Sequence, residues 1–210
     1  RGERLDGGTC PTLAVPFVVK PDSEDNSLGV SVVRSADEID AALAHARRYD
    51  DVLLAEDFIP GREIRVAVVE TGGDLLVPAF MEYPVSEARP IREVADKLET
   101  GSDGTAMRQS RRPDAQPVCP APVDATLARR LADMAKAAHR AIGARHYSLF
   151  DIRVHAETGE PYLLEAGLFW SFSALSAITR MLHGAGEDPV RLTRELWQAA
   201  AAGARPATAA

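Results

Sequence analysis

Residues 147–167 read YSLFDIRVHAETGEPYLLEAG. Two β-rich runs, YSLFDIRVHA and EPYLLEAG, flank the tight turn ETG, the pattern of an antiparallel hairpin. Each run carries one acid: Asp151 lies within the first strand, and Glu165 closes the apolar run Tyr162-Leu163-Leu164 of the second. Pairing of the strands would bring both carboxylates to one face of a sheet, within reach of a common ion. Hard divalent cations such as magnesium take oxygen ligands, usually one or two carboxylates plus substrate phosphates. The plainer alternative is a pair of solvated carboxylates near strand ends.

Working outward, Phe17-Val18-Val19 is a short β-rich run closed by Lys20-Pro21; the loop DSEDNSLG follows, and VSVV is the returning strand. SADEIDAALAHARRYD predicts a helix, with Ser35 placed to cap, Glu38 three residues on as in a capping box, and Ile39, Ala42, Leu43 and Ala46 at helical spacing. DVLLAEDFI is a strand, PGRE a turn, and IRVAVVE and LLVPAFMEY are two more strands across TGGD. From about residue 84 to 122 the pattern dissolves into polar, Pro- and Gly-containing sequence, a long loop of the functional or disordered kind. DATLARRLADMAKAAHRAIG is a second helix, apolar along Leu127, Leu131, Met134, Ala135 and Ala138 and closed by Gly143. SALSAITRMLH and DPVRLTRELWQAAA are two further helices, before the tail RPATAA. Paired strands with helices inserted between them predict an α+β chain with mostly antiparallel sheets.

Composition narrows the function. With 46% hydrophobic and 26% charged residues the chain can bury a real core. Its net charge of -7 argues against a general nucleic-acid partner, which needs a basic patch to displace counter-ions from phosphates, and favours small molecules. The absence of a long apolar run or a leader-like start predicts a cytoplasmic protein with no membrane partner. Cys10 and Cys119 match no metal-ligand spacing and agree with a reducing compartment. Arginine far outnumbers lysine, which leaves Lys20, Lys97 and Lys136 as the only lysines.

Lys20, at the end of an apolar strand and before a polar loop closed by Gly29, has the makings of a phosphate grip, in which backbone N–H groups and one ammonium neutralise oxyanions. A surface lysine is the plainer reading. Glu56 and Glu63 flank DFIPGR between strands; carboxylates there can accept bonds from sugar hydroxyls, while the backbone of Phe58 and Ile59 can read the edge of a planar base. Arg65 shares the face of Glu63 by strand alternation, and an exposed ion pair is the plainer account of both.

Taken in order, FVVKP, DSEDNSLGVS, LLAEDFIPGREI, VCPAPVD, a helix ending AIG, FDIRV and PYLLEA resemble the C-terminal two thirds of an ATP-grasp ligase of the D-alanine–D-alanine ligase type. The resemblance covers nearly the whole chain and implies an ATP-grasp fold: two α+β subdomains, with mostly antiparallel sheets, clasping a nucleotide between them. It divides the chain into a small subdomain at 1–59, incomplete at its N-terminus, a large one at 60–204, and a flexible tail at 205–210. It implies ATP and Mg2+ as cofactors, amino-acid-like substrates, and a homodimer as in many relatives. The implied activity is peptide or amide bond formation: ATP phosphorylates a carboxylate, and an amine attacks the acyl phosphate.

Residue by residue, Lys20 resembles the lysine on the nucleotide phosphates, and Asn26, Ser27 and Gly29 fall in the phosphate-covering loop. Glu56, Phe58 and Ile59 match the adenine-reading hinge, Glu63 the ribose carboxylate, Leu164 the apolar residue under the base, and Asp151 and Glu165 two of three magnesium ligands. The chain departs from the family at Gly167, where the third ligand is an asparagine, and at Leu149, where an arginine holds the tetrahedral intermediate. Arg65 or Arg153 would supply that cation, and Lys97 or Arg108 the phosphate contact of the long loop. In LFWSFSALS the resemblance gives Ser176, with Ser173 as the alternative, to the acceptor carboxylate; Phe169, Trp170 and Phe172 suggest a larger or more apolar acceptor, core packing being their blander role. The start at Arg1 without methionine, and only 19 residues before Lys20, imply that the N-terminal third of such ligases is missing. A nucleotide-binding module without full activity is the competing expectation, and a domain that kept only the fold is the third.

Overall fold

Antiparallel strands build two main sheets and one two-stranded sheet in a computed structural model that describes residues 1–6, 9–93, 96, 98–100, 107–109 and 112–203. The chain divides into two compact units, Arg1–Pro60 with Val85–Gln116, and Gly61–Pro84 with Pro117–Ala210.

The first unit holds a four-stranded antiparallel sheet in the order β1-β4-β2-β3, formed by β1 (Gly2–Asp6), β2 (Phe17–Pro21), β3 (Ser31–Val33) and β4 (Val52–Asp57). Phe17, Val19, Val33, Leu53 and Ala55 point to one face, where Ala42, Leu43 and Ala46 of α1 (Ile39–Ala46) close the core. β1 falls in a stretch whose glycine and charges give no strand signal; only Leu5 of it enters the core, and its pairing with β4 places it. The capping box is corrected: Ser35 makes no cap bond, and Glu38 accepts instead from the Arg34 amide at 2.7 Å, because a 3-10 turn over Ala36–Glu38 precedes the α-helix. The segment read as a long loop contributes a short hairpin, β8 (Leu98–Thr100) with β9 (Met107–Gln109), and arginine–carboxylate pairs that include Arg112–Asp96 at 3.1 Å.

The second unit is built on the order β11-β10-β5-β6, with β7 also on β5. Its long members are β5 (Gly61–Thr71) and β10 (Tyr147–His155), antiparallel from Val69↔Tyr147 to Gly61↔His155. β6 (Asp74–Leu76) and β7 (Met81–Tyr83) replace the single strand expected over LLVPAFMEY; Pro78, with no N–H to donate, falls in the interruption. β11 (Pro161–Gly167) is the edge, and an extra residue, Leu164, interrupts its register between Asp151↔Glu165 and Ile152↔Leu163. One face of the sheet, with Ile64, Val66, Val68, Phe150 and Ile152, packs on Leu131 and Ala135 of α2 (Ala125–Ala141). Asp124 caps that helix by accepting the amides of Thr126 and Leu127. Part of the other face, with Ala67 and Val69, packs on α3 (Ala177–Gly184) and α4 (Pro189–Ala201). No helix among the described residues is long and apolar enough to cross a membrane.

Where β5 ends and β10 begins, α2 is pinned to the sheet by polar groups. His139 Nδ1 lies 2.7 Å from Ser148 Oγ, His139 Nε2 lies 3.5 Å from Glu70 Oε1, and Glu70 Oε2 accepts the His146 amide at 2.8 Å. Burial lowers the pKa of His139 below its ordinary 6.5, with Glu70 opposing. The unfolded chain therefore binds the proton first, and stability is full above that ordinary value and falls as pH drops through it. Urea denaturation at about pH 7.5 and about pH 5.5 should show a larger loss for the wild type than for His139→Gln; equal losses would remove His139 as the cause.

Candidate functional site

Strand alternation puts Glu63 and Arg65 of β5 on the face that also carries Ala67 and Val69. The β10 partners on that face are Arg153 opposite Glu63, Asp151 opposite Arg65, and Leu149 opposite Ala67. β11 adds Glu165 opposite Asp151 and Gly167 opposite Leu149. One end of the face is thus apolar and covered by α3 and α4, while the other is a lattice of charge running across three strands.

The centre of that lattice is one ion pair. Arg65 Nε and Nη2 donate to the two oxygens of Asp151, each at 2.5 Å, with the side chains only 22% and 21% exposed. Such a fork satisfies the planar guanidinium and both carboxylate oxygens together. Arg65 Nη1 also lies 3.3 Å from the Tyr83 hydroxyl, and its guanidinium stands 5.2 Å from the centre of the Tyr83 ring. Burial works against the charge on Arg65, but Asp151, Tyr83 and Glu63 together outweigh it and raise its pKa.

Beside this pair, Arg153 is 5% exposed, donates from Nη1 to the Gly61 carbonyl at 3.1 Å, and lies 3.7 Å from Glu63 Oε2. Burial pulls its pKa down and Glu63 opposes the shift. Glu165 is exposed, and Leu164, the extra residue of the bulge, is 42% exposed.

The residues expected to meet an acceptor lie beyond β11. Trp170 is 4% exposed, stacks on Phe172 at 4.4 Å, and donates from Nε1 to Thr179 Oγ1 at 3.0 Å. Ser176 caps α3, with its Oγ 2.8 Å from Thr179 Oγ1. Ser173 is exposed, its Oγ 3.0 Å from that of Ser171, and Phe169 projects with 80% of its surface open. The loop thus sends Trp170 into the core and Phe169 outward.

In the first unit, Lys20 Nζ lies 2.7 Å from Glu56 Oε2 across the β2–β4 ladder. The loop after Lys20 carries two non-glycine residues at positive φ, Asn26 at 53° and Ser27 at 63°, a conformation that turns successive amides toward one side. Gly29, at φ 71°, closes the loop where a Cβ would meet Pro21 at 2.7 Å and Tyr49 at 2.8 Å. The Phe58 amide donates to the Pro16 carbonyl at 3.3 Å, and Ile59 follows β4. Lys97 lies outside the described residues; Arg108 is on β9. The sequence offered no signal for the Arg65–Asp151 fork or for Tyr83 beneath it.

The fit to magnesium can be read from these donors. Both oxygens of Asp151 are on Arg65, Gly167 carries no donor, and Glu165 remains. Among the described residues no group of three or more His, Cys, Asp or Glu side chains is arranged to hold a metal. As they stand, the residues do not fit a resident magnesium ion.

Gly61 anchors this end of the sheet. Its φ is 133°, and a Cβ there would run into the Val154 carbonyl oxygen and lie 2.7 Å from the Ala156 amide. Gly61→Ala is expected to cost about 2–4 kcal/mol, against about 1 kcal/mol for Gly72→Ala. Gly72 has positive φ with open space around it, so the difference in denaturation midpoints measures the close approach itself.

The comparisons agree with this architecture. A family model described as "D-ala D-ala ligase C-terminus" matches residues 7–198. A D-alanine–D-alanine ligase from Geobacter sulfurreducens is 38% identical over 178 residues, 85% of this chain and 50% of that protein. The chain spans about half the length of the curated relatives it matches. Among solved structures, a D-alanine–D-alanine ligase from Bacillus anthracis superposes with a TM-score of 0.71 at 18% identity, covering 97% of this chain and 61% of that one. The same enzyme complexed with ATP gives 0.66 at 19%, covering 97% and 59%. The fold is therefore the ATP-grasp fold of these ligases, as the order of segments implied.

Proposed function

Because this chain belongs to the D-Ala-D-Ala ligase C-terminal family, we propose that it is the nucleotide-handling part of an ATP-dependent carboxylate–amine ligase acting on amino-acid-like substrates. The observation that carries the reading is the lattice of Glu63, Arg65, Asp151, Arg153 and Glu165 on one sheet face, charge placed where the remainder of that face is core. Phosphoryl transfer depends on fixed positive charge that meets the developing negative charge without reorganisation. Arg65 and Arg153, each locked by partners, are cations of that kind.

In this reading a substrate carboxylate oxygen attacks the γ-phosphorus and ADP departs, leaving an acyl phosphate. The amine of the second substrate then attacks the carbonyl carbon; inorganic phosphate leaves, and the nitrogen gives up a proton. Lys20 would exchange Glu56 for a phosphate oxygen, with the loop of Asn26 and Ser27 lending backbone amides. Phe58, Ile59 and Leu164 would receive the base and Glu63 a sugar hydroxyl. Lys97 would join the catalytic cations, while Ser173, Ser176 and Trp170 would shape the acceptor site, Trp170 from within the core. Magnesium enters only as the ion that ATP phosphates ordinarily carry, as part of the substrate. The Bacillus anthracis ligase solved with ATP supports the choice of nucleotide.

A second reading is favoured by the engagement of Asp151 and by Gly167: a module that binds the nucleotide without turning it over. Calorimetric titration with a nonhydrolysable ATP analogue tests the common part. Binding is expected, weakened about tenfold or more in Lys20→Met. Amino-acid-dependent phosphate release would then select the ligase, binding without release the module, and absence of binding would sink both.

A further inference from the structure

One of the two carboxylates that the family resemblance gives to a metal ion is bonded to an arginine instead. We propose that Arg65 is the resident cation of the β5–β10–β11 row, and that the wild-type chain therefore does not use Asp151 as a ligand for a divalent cation. The inference starts from the same residues as the ligase reading but does not depend on turnover.

Geometry carries it. Register places Arg65 directly across from Asp151, and Asp151 directly across from Glu165, so the three residues form one row across the strands. Its fork takes both oxygens of Asp151. Tyr83, itself buried, holds the same guanidinium through its hydroxyl and against its ring, so Arg65 is positioned from two sides. A divalent ion on Asp151 would have to displace this fork and sit a few ångströms from a full positive charge, in surroundings that screen it poorly.

The third donor is missing for no reason of space. A Cβ at Gly167 would meet only the Leu149 carbonyl oxygen at 3.7 Å and the Leu149 Cβ at 3.9 Å, ordinary contacts that a side chain could make. The row thus lacks one metal donor and holds a cation on Asp151, and the two features are consistent with each other. A guanidinium neither loses its proton at ordinary pH nor dissociates, so the charge it supplies is permanent, whereas that of a bound ion depends on its concentration.

Manganese alone, titrated into the full chain and followed through the electron paramagnetic resonance of the free ion, tests this. Asp151→Asn should leave the wild-type isotherm unchanged within about twofold, and Arg65→Met should create a site about tenfold tighter or more, as removal of a neighbouring like charge would. The double variant Arg65→Met/Asp151→Asn should lose that gain. Should Arg65→Met fail to fold, Arg65→Lys replaces it: an ammonium cannot fork onto both oxygens, so a smaller gain that Asp151→Asn again removes is expected. The inference is overturned if Asp151→Asn alone weakens manganese binding threefold or more, or if neither substitution of Arg65 strengthens it. No nucleotide is present in the titration, so a chain that fails to bind ATP would count against the ligase reading and leave this result standing.

Discussion

The antiparallel ladder between β5 and β10 fixes what every other part of the second unit can do. Its nine paired positions assign Ile64, Val66 and Val68 to the face of α2 and Glu63, Arg65, Ala67 and Val69 to the other. A slip of one residue would turn Arg65 and Glu63 into the α2 core and expose Ile64 and Val66, so the apolar set of one face enforces the register that aligns the charges on the other. The ion pair at Arg65 and Asp151 is thus a product of the packing behind it. Its fork and its contact with Tyr83 then hold the side chains within that frame.

The two units hold their candidate functional cations alike. Lys20 rests on Glu56 in one, Arg65 on Asp151 in the other. The resting partners differ in consequence. The Lys20 pair is a single contact between partly exposed side chains, and an ammonium makes adaptable bonds, so a phosphate can replace Glu56 more readily than an ion can replace a fork. The Arg65 pair is more enclosed and bidentate, so loss of either partner leaves a poorly solvated charge.

Local pattern carried the sequence reading a long way. Helices came from 3.6-residue spacing, the β10–β11 hairpin from its turn, and the shared face of Asp151 and Glu165 from that hairpin. Alternation alone gave the shared face of Glu63 and Arg65. What local pattern cannot specify is which distant strands pair: 86 residues separate Arg65 from Asp151, and only the three-dimensional ladder sets them opposite. β1 escaped for a similar reason, since GERLD has one core residue and owes its strand to β4. In LFWSFSALS, composition alone does not say that Trp170 turns inward to Thr179 while Phe169 turns out.

The bulge at Leu164 has a bearing on solubility. β11 is a sheet edge that exposes Tyr162, Leu163 and Leu164 in succession, and a long, flat, apolar edge is a template onto which another chain's strand can add. The extra residue breaks the even spacing of outward amides and carbonyls and bends the strand, so an incoming strand cannot continue in register past it. The same irregularity that sets Leu164 off the ladder thus guards the chain against edge-to-edge aggregation.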